Sequence, residues 1–231
     1  MGVSGDITVV AAHGAWADGS SWKDVILRLH GVGVRVIAVP IPLTSLGDDA
    51  AAVKRTMART TGPLILAAHA YAGAVIGAVN DDRVKALVYI SALAPDEGET
   101  VAQVFYRDEK HPQSPQLAPD TDGFIWMPDD GFQDAFAQNA SADQIALSAA
   151  VQRPIALKCI QEPVPKPGWR SKPSWFLIAE EDRMISPKTQ HFMAERMGAT
   201  TRSFAVDHTP LLSAPQKVVD IILEAKQVVS S

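Results

Sequence analysis

A chain of 231 residues, 47% hydrophobic and 20% charged, is long for one domain but ordinary for a single α/β-sheet enzyme with an ample core. The formal net charge of −5 and the lack of any Lys/Arg run argue against a nucleic-acid surface, and no apolar run reaches the ~18 residues of a membrane span. The single Cys159 excludes an internal disulfide and is expected to fill apolar space, while Met1-Gly2-Val3-Ser4-Gly5-Asp6 has neither a signal-peptide pattern nor a myristoylation signal, so a cytoplasmic protein is expected.

Strand and helix patterns alternate along the chain. Ile7 to Ala12 is a short, nearly continuous apolar run, the mark of a strand buried on both faces. Ser20 and Ser21 are placed to cap a helix carrying Trp22, Val25, Ile26 and Leu29, closed by Gly31. Val34 to Pro40 reads as a second strand, Asp48 to Thr60 as a helix and Leu64 to Ala68 as a third strand. A helix from Tyr71 to about Val79 and a fourth strand from Val84 to Ser91 follow. Periodicity then breaks from about Asp96 to Lys172, where prolines are dense and only Asp130 to Asn139 and Ala142 to Lys158 read as helical. So long a stretch is not a structureless loop; it predicts a partly helical lid, 96–172, between core segments 1–95 and 173–231. Beyond it come a strand at Trp175 to Ala179, a helix at Pro187 to Met197, a strand near Arg202 to Val206 and a helix at Pro215 to Val228. The alternation implies a mostly parallel, six-stranded α/β sheet with right-handed crossovers and helices on both faces.

Three pieces carry chemistry. Leu64 to Ala74 has the shape of the nucleophile elbow G-x-S-x-G, a sharp strained turn that demands small neighbours, which Ala68, Ala72 and Gly73 supply. Position 70, where the serine belongs, is alanine, and a methyl group cannot attack a carbonyl. The second piece is the strand end Phe176 to Ala179 followed by Glu180, Glu181 and Asp182; the third is His208, within Val206-Asp207-His208-Thr209-Pro210. Nucleophile, acid, base is the chain order used on the α/β-hydrolase scaffold, and each piece follows a strand's carboxyl end. In that scheme an imidazole takes the nucleophile's proton while a buried carboxylate orients it. His208 is the base and Asp182 its partner, with Glu180, Glu181 and Asp96 as the alternative acids. The backbone N–H groups of Tyr71 and, from the His13-Gly14-Ala15-Trp16 loop, Ala15 form the oxyanion hole.

Duller readings hold elsewhere. His13 and His69 are expected to hydrogen-bond their own surroundings, and His30, His111 and His191 to be exposed without function. Trp16, Trp126 and Trp169 are placed to line a pocket, with plain packing as the alternative for such aromatics, and Trp16, Tyr106 and Trp126 are the substrate-binding candidates. No metal and no nucleotide cofactor is implied, since ligand-spaced clusters and phosphate loops are missing from the sequence.

The whole chain resembles the α/β-hydrolase superfamily, and within it the small branch of plant methylesterases and hydroxynitrile lyases. The resemblance rests on His13-Gly14-Ala15-Trp16 with Trp22, Ala68-His69-Ala70-Tyr71-Ala72-Gly73, the strand Val84 to Ser91, Asp182 and His208-Thr209-Pro210. Ser91-Ala92-Leu93-Ala94-Pro95-Asp96-Glu97-Gly98-Glu99 is similar to uncharacterised bacterial esterases of that branch. The resemblance implies sheet order 4-3-5-6-7-8 in the family's strand count, without the first two strands of larger members, and a serine esterase with a small-molecule ester substrate. Ala70 departs from it, through either deliberate replacement of a serine or natural loss of the nucleophile. Retention of Asp182, His208 and the hole favours the first. Two rivals stand beside the esterase: a lyase of the hydroxynitrile type, using a lysine such as Lys158, Lys166 or Lys172, and a non-catalytic ligand-binding module. Phe105, Tyr106, Phe124, Trp126, Met127 and Phe132 suggest an apolar acyl or alcohol group.

Overall fold

Apolar strands that outnumber their polar breaks must be covered on both faces, and the computed structural model, which describes residues 7–230, shows how. Strands β1 (Thr8–Ala12), β2 (Arg35–Val39), β3 (Leu64–His69), β4 (Val84–Ile90), β7 (Ser174–Ala179) and β8 (Thr200–Phe204) form a parallel sheet of order β2-β1-β3-β4-β7-β8. This is the expected order, and the edge strands are the two with partly exposed faces.

Alternation divides the sheet cleanly. Val9, Ala11, Ile65, Ala67, Val88 and Leu177 face a core built with α1 (Lys23–Gly31) and α10 (Pro215–Ser230). Their neighbours Val10, Ala12, Leu66, Ala68, Tyr89 and Phe176 face the opposite core, which includes α2 (Leu46–Met57), α3 (Ala72–Gly77) and α8 (Pro187–Met197). No helix of the described residues is long and apolar enough to cross a membrane.

Several boundaries differ from the sequence reading. Ser20 and Ser21 do not cap α1; Asp18 accepts the Ser20 N–H at 2.8 Å and opens a 3-10 turn, Gly19–Trp22, ahead of it. α2 begins earlier because Ser45 is its cap, accepting from Asp48 N–H at 3.0 Å. β3 runs one residue further, to His69.

The segment 96–172 departs most. The long helix expected over 142–158 stops at α6 (Ala142–Ala150), because Pro154 forces Arg153 toward extended backbone. Ile155–Ala156 then pairs as β6 with β5 (Phe124–Ile125), antiparallel. Asp129–Gly131 (α5) leads into a π-helical turn, Phe132–Phe136, and α7 (Leu157–Gln161) follows β6. α4 (Val101–Phe105), opened by a Thr100/Gln103 capping box, is too short to show a period in sequence.

Candidate active site

β3 ends at His69, and Ala70 then takes φ +50°, the left-handed region that costs a residue with a Cβ about 1–2 kcal/mol. The turn is held by backbone bonds from Leu93 N–H (2.9 Å) and Gly73 N–H (3.1 Å) to Ala70 O. Space decides which neighbours must be glycine. A Cβ on Gly73 would lie 2.4 Å from Leu93 O, and one on Gly14 would lie 2.9 Å from Ala70 Cβ. Trp16 (φ +57°) and Ser91 (φ +44°), after β1 and β4, share the strained conformation, so strain gathers at the sheet's carboxyl edge.

His208 lies in the loop between β8 and α9 (Pro210–Ser213), and Asp182 in the turn after β7. The His208 Nδ1–H donates to Asp182 Oδ2 at 2.8 Å, with both side chains buried. Asp182 Oδ1 accepts the N–H groups of Met184 (2.7 Å) and Ile185 (2.8 Å), and Gln190 Nε2 adds a bond to Oδ2 at 2.7 Å. Both oxygens are therefore acceptors, which orients the carboxylate and fixes the imidazole tautomer. His208 Nε2 has no partner among the described residues, and His208 lines the same cavity as Ala70. The alternative acids sit elsewhere: Asp96 holds Arg170 through a two-pronged pair at 2.7 Å, Glu180 binds His191, and Glu181 accepts from Asn139.

Two more histidines brace this edge without facing it. His69 Nε2–H donates to His208 O at 2.8 Å, clamping the backbone of the candidate base. Burial, ahead of the nearby His208, lowers His69 to about 3. His13 donates through Nδ1 to Gly14 O (2.9 Å) and accepts the Ile41 N–H at Nε2 (3.2 Å); burial lowers it to about 4. Both match the hydrogen-bonding role read for them from sequence.

On the other side of the elbow, Trp16 N–H is taken by Arg153 O at 3.0 Å, whereas those of Ala15 and Tyr71 meet no acceptor among the described residues. Tyr71 is anchored from behind. Its hydroxyl donates to Asp49 Oδ2 at 2.7 Å, and Asp49 Oδ1 accepts the Leu43 N–H at 2.7 Å. Asp49 is fully buried, and burial raises its carboxyl above the ordinary range. Burial also pushes the neighbouring Cys159 thiol up to about 12, in keeping with a packing role. Asp49 and Gln190 escaped the sequence reading. Each is an ordinary polar residue in a helix, and nothing local marks it as buried.

The cavity above Ala70, ≈ 590 Å³ including its open mouth, is walled by apolar side chains such as Leu93, Phe105, Ile125, Phe136, Met184 and Ile185. Trp16 and Tyr106 line it too; the Trp16 indole N–H is spent on Ile125 O at 2.9 Å. Trp126 does not. It is 49% exposed and its indole N–H donates to Asp120, outside the cavity, because β5 turns it outward beside Ile125. No group of three or more His, Cys, Asp or Glu among the described residues is placed to hold a metal.

A parallel sheet with an elbow after its third strand and an imidazole–carboxylate pair after its last two defines an α/β-hydrolase fold. The chain belongs to the Alpha/beta hydrolase family, whose model matches residues 9–221. It is 22% identical over 240 residues to "Probable hydrolase R7" of Phoma sp., covering 94% of this chain and 96% of that one. Among solved structures, polyneuridine aldehyde esterase superimposes with TM-score 0.79 at 16% identity, over 96% of this chain and 100% of that one. The methylesterase MES16 from Arabidopsis superimposes with TM-score 0.78 at 14% identity, over 96% and 99% respectively.

Proposed function

We propose that this site is built to cleave small carboxylic esters through an acyl-enzyme, with position 70 as the nucleophile's place. Ala70 is read as a replaced serine, and the chain as it stands binds ester without that turnover. The observation that carries the reading is the Asp182-bound imidazole of His208, its Nε2 unpartnered, lining one cavity with the Ala70 methyl. A serine at 70 would lose its proton to His208; Asp182 would hold the imidazole and stabilise the imidazolium. The unengaged N–H groups of Ala15 and Tyr71 would hold the oxyanion. Trp16 and Tyr106 would bind substrate, and segment 96–172 would act as a lid between core segments 1–95 and 173–231.

The lysine needed by the lyase reading finds no support. Among the described residues no lysine lines the cavity, Lys158 pairs with Glu162 and Lys172 is tied to the carbonyls of Asp81 and Val84. The esterase relatives favour hydrolysis in the same direction. Ala70→Ser, assayed on short-chain aryl esters, should turn an almost inert chain into a hydrolase with an acyl-enzyme burst. No gain over the parent would sink the proposal. A serine codon at position 70 of the gene would establish the replacement.

A further inference from the structure

The chain as it stands still holds a base and two free N–H donors around one apolar chamber, and these are the parts required to move a proton off carbon. We propose that the Ala70 chain catalyses keto–enol interconversion of uncharged, apolar carbonyl compounds whose C–H is acidified by a second carbonyl. This rests on the reading of His208, Ala15 and Tyr71 given above, but it needs no nucleophile.

In the step proposed, His208 Nε2, unpartnered and at the cavity, takes the α-proton. The C–H electron pair becomes the C=C bond of the enolate, and the carbonyl π pair moves to oxygen. That oxygen accepts the N–H groups of Ala15 and Tyr71, which meet no acceptor among the described residues. The imidazolium, held by Asp182 at 2.8 Å, then returns its proton to the enolate oxygen. No oxidant, reductant or second substrate enters, and the products are isomers of the reactants.

The chamber's walls favour this over direct attack by water. A water standing above the Ala70 methyl would meet His208 Nε2 amid Leu93, Phe136, Met184 and Ile185. Buried waters are held by about two to four polar partners, so an apolar carbonyl compound fills this space better than water does. Among the described residues the same walls contain no carboxylate, lysine or arginine, which excludes charged keto acids and selects neutral compounds.

The test uses the unaltered protein and benzoylacetone, with ketonisation of the enol followed by its ultraviolet absorbance and α-exchange followed by NMR in D2O. The expected result is saturable catalysis, about 10²-fold faster than in His208→Gln, consistent with a general-base contribution. Asp182→Asn should fall similarly. 4-Phenyl-2-butanol, an apolar occupant of similar size, should inhibit the unaltered chain competitively, a measurement that needs no variant to fold. Ala70→Ser should lower the exchange rate at least fivefold, since its hydroxyl would occupy His208 Nε2. Equal rates in His208→Gln, or exchange that neither saturates nor responds to the alcohol, would overturn the proposal. The two readings fail separately: an Ala70→Ser protein without esterase activity removes the acyl-enzyme proposal and leaves proton transfer by the unaltered chain to stand or fall on its own data.

Discussion

Lowering the pH from about 7.5 to about 5 should remove about 4 kcal/mol of folding stability through His13 and His69. Both rings are buried and neutral in the fold, at about 4 and about 3, with burial the leading cause in each. In the unfolded chain each binds a proton near the ordinary histidine value of about 6.5. Folded values below unfolded ones mean that the stability contributed is complete above pH ~6.5 and is lost as pH falls toward ~4 and then ~3. At about pH 5 each ring costs about 2 kcal/mol, because the unfolded state is about 30-fold favoured by protonation. The lowered carboxylates, such as Asp81 and Asp96, have ordinary values near 3.8 and act below this window. Urea unfolding followed by the fluorescence of the five tryptophans at about pH 7.5, 6 and 5 measures the slope. His69→Gln, whose amide can still reach His208 O, should halve it. Stability that stays flat from pH 7.5 to 5, or a slope unchanged in the variant, would refute the reasoning.

Asp49→Ala should cost about 2–5 kcal/mol in thermal unfolding, because Leu43 N–H and the Tyr71 hydroxyl would lose their partner inside the core. Gly73→Ala should cost at least about 1–3 kcal/mol and abolish any activity gained by Ala70→Ser, since the new methyl meets Leu93 O at 2.4 Å. On the Ala70→Ser background, Asp182→Asn should lower kcat about 10⁴-fold with little change in KM, as expected for a lost imidazole orienter. Trp126→Ala should leave that kcat unchanged and shift stability by no more than about 0.5 kcal/mol, because its ring lies outside the cavity.

Strand existence was legible because each buried strand is a continuous apolar run and the turns between strands and helices carry strong local signals, whereas strand order was implied only by the family resemblance. The elbow was legible for the same reason, since Ala68, Ala72 and Gly73 are small where the turn requires it. Asp182 and His208 were readable only through their positions after strand ends. Segment 96–172 was poorly legible: its helices are mostly one or two turns long, and its two-residue strands show no period at all.

Local chemistry written along the chain thus determined the α/β class, the alanine in the small-residue turn after β3, and the acidic residues and histidine that follow the last two strands. Only tertiary structure decided which acid meets His208, that Asp49 anchors Tyr71 from α2, and that Gln190 braces Asp182 from α8. It also set Trp16 on the cavity wall and Trp126 outside it. The physical reason is reach. Period and turn chemistry act over a few residues, whereas the partners of a buried polar atom are chosen by packing between elements 22 and 26 positions apart in the chain.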